Sequence, residues 1–158
     1  MKWLLVLCAG LASLLALAPV QGAPAEGAST TGVNVISIGT DVHASFTVHD
    51  YGSDSLDSGN FNYHNFITGV HYTVDVACVE VSGNRAIMAF VIPEGPGVGQ
   101  AKIVEVFDNG EPSAGPPPDL YGDTPGGSTL SSACSFVNSG SIFGFNQPVT
   151  AGNVQVYS

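Results

Sequence analysis

Positive charge is almost absent from this chain: 3 Lys and Arg stand against 13 Asp and Glu in 158 residues, a formal net charge of −10. Nucleic acid and anionic lipid surfaces are recognised by clustered Lys and Arg, so the composition argues against both as partners. Charge of either sign is sparse at 10% of residues, where about a quarter is usual. The polarity comes from Ser, Thr, Asn and Gly instead. Motifs for nucleophilic catalysis are missing as well: the sequence holds no Gly-x-Ser-x-Gly elbow and no Ser-x-x-Lys. Tryptophan occurs once, as Trp3, and cysteine three times.

The N-terminus accounts for part of that short inventory. Met1-Lys2 is followed by an apolar run from Trp3 to Ala18, then by small residues and prolines from Pro19 to Pro24. This is the order of a secretory signal, and the run is short for a membrane span of about 20 residues. Cleavage is expected after Gly22, with Ala18 and Ala23 as alternative sites, leaving a secreted chain with no transmembrane segment. Lys2, Cys8 and Trp3 leave with the signal, so the remaining cations are Arg85 and Lys102 and the remaining cysteines Cys78 and Cys134. An even pair in an oxidising compartment predicts a disulfide, the alternative being two separate buried thiols. Neither cysteine has a second Cys or a His at zinc-ligand spacing.

Residues 23–32 are small and polar and read as a flexible lead-in; residues 33–158 read as one all-β domain. The hydrophobic period there is two. Ala44, Phe46 and Val48 alternate with His43, Ser45, Thr47 and His49, and Phe61 and Tyr63 alternate with Asn60, Asn62 and His64. Val70, Tyr72, Val74 and Val76 share one phase, whereas Val79 and Val81 share the other, so a bulge or bend is required at Ala77-Cys78. Gly83-Asn84 reads as a two-residue hairpin loop that sets Val81 opposite Ala86 and Val79 opposite Met88. The returning strand, Ala86 to Ile92, is apolar on both faces and should be covered on both sides. Ala101 to Phe107 follows, with Glu105 pointing away from Val104 and Val106.

Residues 108–127, with Pro112, Pro116, Pro117, Pro118 and Pro125, read as an irregular excursion. Leu130 to Val137, Ile142 to Phe145 and Val154 to Tyr157 are further strand candidates, and no window reads as an amphipathic helix. Eight or nine strands in this length predict a single antiparallel β-sandwich, with a closed β-barrel as the alternative.

Candidates for chemistry are few. His43 and His49 share a strand face but stand roughly 20 Å apart at strand rise, too far for one ion. All four histidines fall on polar positions and read as solvent-facing, with a cross-strand site from His64 and His71 with Asp75 as the alternative. Calcium would suit two acidic loops, Asp50, Asp54 and Asp57 in one and Asp108, Glu111, Asp119 and Asp123 in the other, since hard cations take carboxylate oxygens from such loops. Neither loop has EF-hand spacing. With the tryptophan gone, Tyr51, Tyr63, Tyr72, Tyr121 and Tyr157 are left as platforms for a sugar.

From His43 onward the chain resembles a family of exported bacterial β domains, often found near choice-of-anchor modules, that has no assigned activity. The stretches that carry the resemblance are Gly59-Asn60-Phe61-Asn62-Tyr63, Thr68-Gly69-Val70-His71 and Val79 to Ala86. Val104 to Pro112 and the closing Gly152 to Tyr157 complete it. The segment Gly115 to Asp123 is longer and richer in proline than that pattern. The resemblance implies export and a β fold, and brings no catalytic residue. The expected function is therefore a secreted or cell-surface, non-enzymatic β module with a structural or interaction role and an extracellular partner. The alternatives are a calcium- or glycan-binding domain and a secreted hydrolase using acidic loop residues. Convergence of the two acidic loops on one pocket would favour the alternatives; their separation favours the first.

Overall fold

A computed structural model describes residues 29–157 apart from 40, 112–114, 116 and 145; the signal, its cleavage sites and residues 23–28 lie outside them. The strands are β1 Ser29–Ile38, β2 Val42–His49, β3 Ser58–Asn65, β4 His71–Asp75, β5 Cys78–Ser82, β6 Arg85–Val91, β7 Ala101–Phe107, β8 Leu120–Asp123, β9 Gln147–Ala151 and β10 Val156–Tyr157. Among the described residues one helix, α1, spans Leu130–Asn138. The fold is all-β apart from that helix. Every ladder is antiparallel, and the strands follow one path, β4-β3-β2-β1-β9-β8-β7-β6-β5, with β10 beside β1.

The two ends of this path, β4 and β5, are consecutive in the chain, which forces the sheet to curl into a half-barrel. The phase change between Val76 and Val79 is where this happens, one residue earlier than the sequence suggests. Val76 donates its N–H to Gly59 O of β3, and the next residue, Ala77, donates to Ala89 O of β6. One continuous stretch thus leaves the ladder of one half and joins that of the other. Because of the kink, Val76 and Val79 both enter the same core. The hairpin register is as expected, Val81 opposite Ala86 and Val79 opposite Met88, with Gly83 at φ 60° in the turn, a conformation that favours glycine.

The main core lies between the halves. Phe46, Val48, Phe61 and Tyr72 meet Met88, Phe90, Val104 and Val106 there, and Phe61 stacks on Phe90 with ring centroids 4.8 Å apart. Gly59 belongs to this arrangement: a Cβ at that position would collide with the Thr47 carbonyl oxygen and with Val48. The other face of β5–β7 carries Cys78, Ile87, Ala89, Ala101 and Ile103, packed under Ala133 and Val137 of α1. The two-sided burial expected of Ala86 to Ile92 therefore holds from Ala86 to Phe90 and at Ile92, whereas Val91 is exposed.

What covers the outer face differs from expectation, since Leu130 to Val137 forms a helix and not a strand. Leu130, Ala133, Cys134 and Val137 follow the i, i+3, i+4, i+7 pattern of a helix face, and the Thr129 side chain caps the helix by accepting from Ser132 N–H. Cys134 on this helix is bonded to Cys78, with Cα atoms 5.7 Å apart.

Three further differences follow from pairing rather than local composition. Residues 29–32, expected as lead-in, begin β1, where they are held opposite residues 46–49 of β2. Leu120–Asp123 forms β8 inside the proline-rich stretch, between Pro118 and Pro125. Gln147–Ala151 forms β9 despite Pro148, which sits opposite Leu120 at the end of that ladder. Ser141 to Gly144, by contrast, is not a strand; Phe145 lies outside the described residues.

Candidate functional site

Four of the seven candidate acidic residues, Asp50, Asp57, Asp108 and Asp119, are held on backbone N–H groups. At the β5 edge, Val79 donates to Asp57 Oδ2 and Val81 to Asp50 Oδ2, each at 2.9 Å. These are the outward N–H groups of an edge strand, two residues apart as the pleat requires. The remaining oxygens accept from their own loop, Asp57 Oδ1 from Tyr51 and Asp50 Oδ1 from Gly52. Asp54 accepts from the Asn138 side chain at the end of α1. Burial raises the Asp57 pKa, the two backbone hydrogen bonds act against it, and the Asp50 and Asp54 charges add to the rise.

The second loop does the same for the C-terminal segment. Asp119 accepts from Asn109 and Val154, and Asp108 from Gly110 and Val156. Glu111 accepts from the Asn153 side chain at 3.5 Å. Asp123 belongs elsewhere: it pairs with Lys102 at 2.5 Å and accepts from Tyr121 OH.

The two loops do not converge on one pocket. A cleft of about 580 Å³ is lined by Asp50, Asp54 and Glu80 with Ser53, Ser55 and Asn138, and no carboxylate of the second loop reaches it. Burial raises the pKa of Glu80, and the neighbouring Asp50 charge adds to the rise. Among the described residues no group of three or more His, Cys, Asp or Glu is placed to hold a metal ion.

The mouth of the half-barrel gathers groups that sequence reasoning did not associate. Tyr63 stacks on Tyr72, Lys102 lies over the Tyr63 ring at 4.9 Å, and Tyr121 reaches Asp123. Burial pushes the Tyr72 and Tyr121 phenols well above their ordinary range, so both are neutral hydroxyls. Tyr72 and Tyr121 are core residues and are not available as sugar platforms; Tyr157 alone of the five candidates is exposed. Both cations of residues 23–158 are buried against a carboxylate, Lys102 as above and Arg85 on Glu105 at 2.5 Å.

On the outer face of the first half, His43, His64 and His71 stand directly opposite one another across β2, β3 and β4. Asp75, opposite Asn60, is four rungs away, roughly 14 Å at strand rise, so it does not join them. His49, opposite Ser58, is at the far end of the face. Comparison with protein-family models, curated proteins and solved structures found no match.

Proposed function

We propose that this chain is a secreted or cell-surface, non-enzymatic β module of bacterial origin, a single sandwich in architecture, with a structural or interaction role. The observation that carries the reading is the use of the acidic residues. Asp50, Asp57, Asp108 and Asp119 each spend both oxygens on backbone N–H groups, which makes them parts of the scaffold. The separation of the two loops argues in the same direction, against an acid/base pair assembled from them. Shared core residues from both halves of the path support the sandwich. Export is supported by the Cys78–Cys134 bond, of a kind that persists in oxidising compartments. Among the described residues no helix is long and apolar enough to cross a membrane. The bacterial assignment rests on the family resemblance.

The cleft of Asp50, Asp54 and Glu80 favours one second reading, a calcium-binding module. Thermal melting separates the two, because an ion that binds only the native state raises Tm. The scaffold reading expects coincident melts in millimolar calcium and in chelator. It also expects Asp57→Asn to cost about 1–3 kcal/mol, since an amide offers one acceptor oxygen where two N–H groups need one. A calcium-dependent rise in Tm that disappears in Asp54→Ala would overturn it in favour of the cation.

A further inference from the structure

From the outer face of the first half-sheet we infer a surface site for a late first-row divalent metal ion, chelated by His64 and His71. The two residues are directly paired across the β3–β4 ladder, so their Cβ atoms are about 5 Å apart and both side chains rise from the same face. Their rings lie with centroids 5.2 Å apart. A zinc ion sits about 2.0–2.1 Å from each imidazole nitrogen, hence about 3.2 Å from each ring centre, and two rings so placed at this separation subtend an angle of about 110°, close to tetrahedral. The ring separation is therefore the one a shared ion requires, with both residues on adjacent paired strands.

The surroundings fit an ion rather than a packed core. The rings border an open cleft of about 230 Å³ that also takes in Ser45 and Asn62. Phe66 packs on His64 at 4.0 Å and on His43 at 4.6 Å, which limits the motion of the central ring before any ligand arrives. His43 also lines this cleft but is not placed to join them as a third ligand, so the chelate is His64 with His71. No third protein ligand is placed to join them among the described residues, and water completes the coordination. Imidazole pairs select copper, nickel and zinc over calcium and magnesium, and a chain of net charge −10 draws cations in general. The selectivity thus comes from the ligands, the attraction from the whole surface.

The test is calorimetric titration of the purified, disulfide-bonded chain with copper(II), zinc and calcium chlorides. One equivalent of copper and of zinc should bind, copper more tightly, with calcium silent and unable to displace zinc. His64→Ala and His71→Ala should each weaken zinc binding by about tenfold or more, the loss of one of two chelating rings. His49→Ala, at the other end of the face, should leave it within about twofold. His71→Gln on the exposed edge strand carries the same test without disturbing the Phe66 packing. No binding at millimolar zinc, zinc affinity unchanged in the His64 and His71 variants, or displacement by calcium would each overturn the site.

Discussion

The half of the sheet made by β1–β4 and the half made by β5–β8 share one core but differ in what lies on their other side. From Ala44 on, burial in β2 alternates residue by residue, and the outer row of His43, Ser45, Thr47 and His49 is half-buried. In β6 six consecutive residues are buried, because α1 covers the outer face and Cys78–Cys134 bonds it down. A strand's periodicity thus reports the number of its covered faces. The first half tolerates polar variety on its free side, whereas the second must satisfy every group that it encloses. Arg85 and Glu105 are the extreme case. Both point beneath the helix layer, where Arg85 also donates to Gly140 O and Ser141 O and Glu105 accepts from Phe143 N–H.

That pair gives the sharpest way to break the comparison. Glu105→Ala leaves a buried guanidinium without its carboxylate and Phe143 N–H without an acceptor, and should cost about 3–5 kcal/mol in denaturant unfolding. Thr47→Ala, on the open face of the other half, should stay within about 0.5 kcal/mol. Equal costs would mean that the helix layer does not enclose the pair. Next in size is the disulfide. The double variant Cys78→Ser/Cys134→Ser, which leaves no lone thiol, should lose about 2–5 kcal/mol, and the intact mass of the unreduced chain should be two hydrogens below that of the reduced one. Two alkylatable thiols before reduction would remove the bond and with it the structural support for export.

How much of this was legible in the sequence divides along the same line. Strict alternation around Phe46 and Phe61, the continuous run from Ala86 to Ile92, and the phase change between Val76 and Val79 fixed the faces, the central strand and the kink, because period two is imposed by the pleat itself. The Gly83-Asn84 loop likewise set a register that needed no tertiary information. Long-range pairing had no such signal: β8 and β9 are short, flanked by or containing proline, and exist because neighbouring strands complete their ladders. The helix was legible in principle from Leu130, Ala133, Cys134 and Val137, but its serines mask the pattern and nine residues make a weak window. The candidate sites fared likewise. Sequence spacing could pick out acidic loops, yet it could not show that their oxygens answer the edge N–H groups of β5. Nor could it show that residues as far apart as His43, His64 and His71 share one rung.

The smallest expected effect tests whether the edge of β5 carries an electrostatic cost along with its hydrogen bonds. Glu80 lies between Val79 and Val81, the two residues whose N–H groups are held by Asp57 and Asp50. Burial, with the Asp50 charge, raises its pKa above the ordinary carboxylate value. A group whose folded-state pKa is raised binds its proton more tightly in the native chain. Its protonation therefore contributes stability that is fully present below the unfolded-state pKa and is lost as pH rises through the folded-state value. At neutral pH the ionised Glu80 carries a burial cost and a repulsion from Asp50, offset in part by Arg85 and moderated by solvent because the residue is only partly buried. Glu80→Gln should accordingly raise Tm slightly at neutral pH, and the gain should shrink as pH falls into and below the carboxylate range. A gain independent of pH would assign the effect to packing at the edge, and a loss at neutral pH would mean that Glu80 is held by Arg85 more strongly than it is repelled by Asp50.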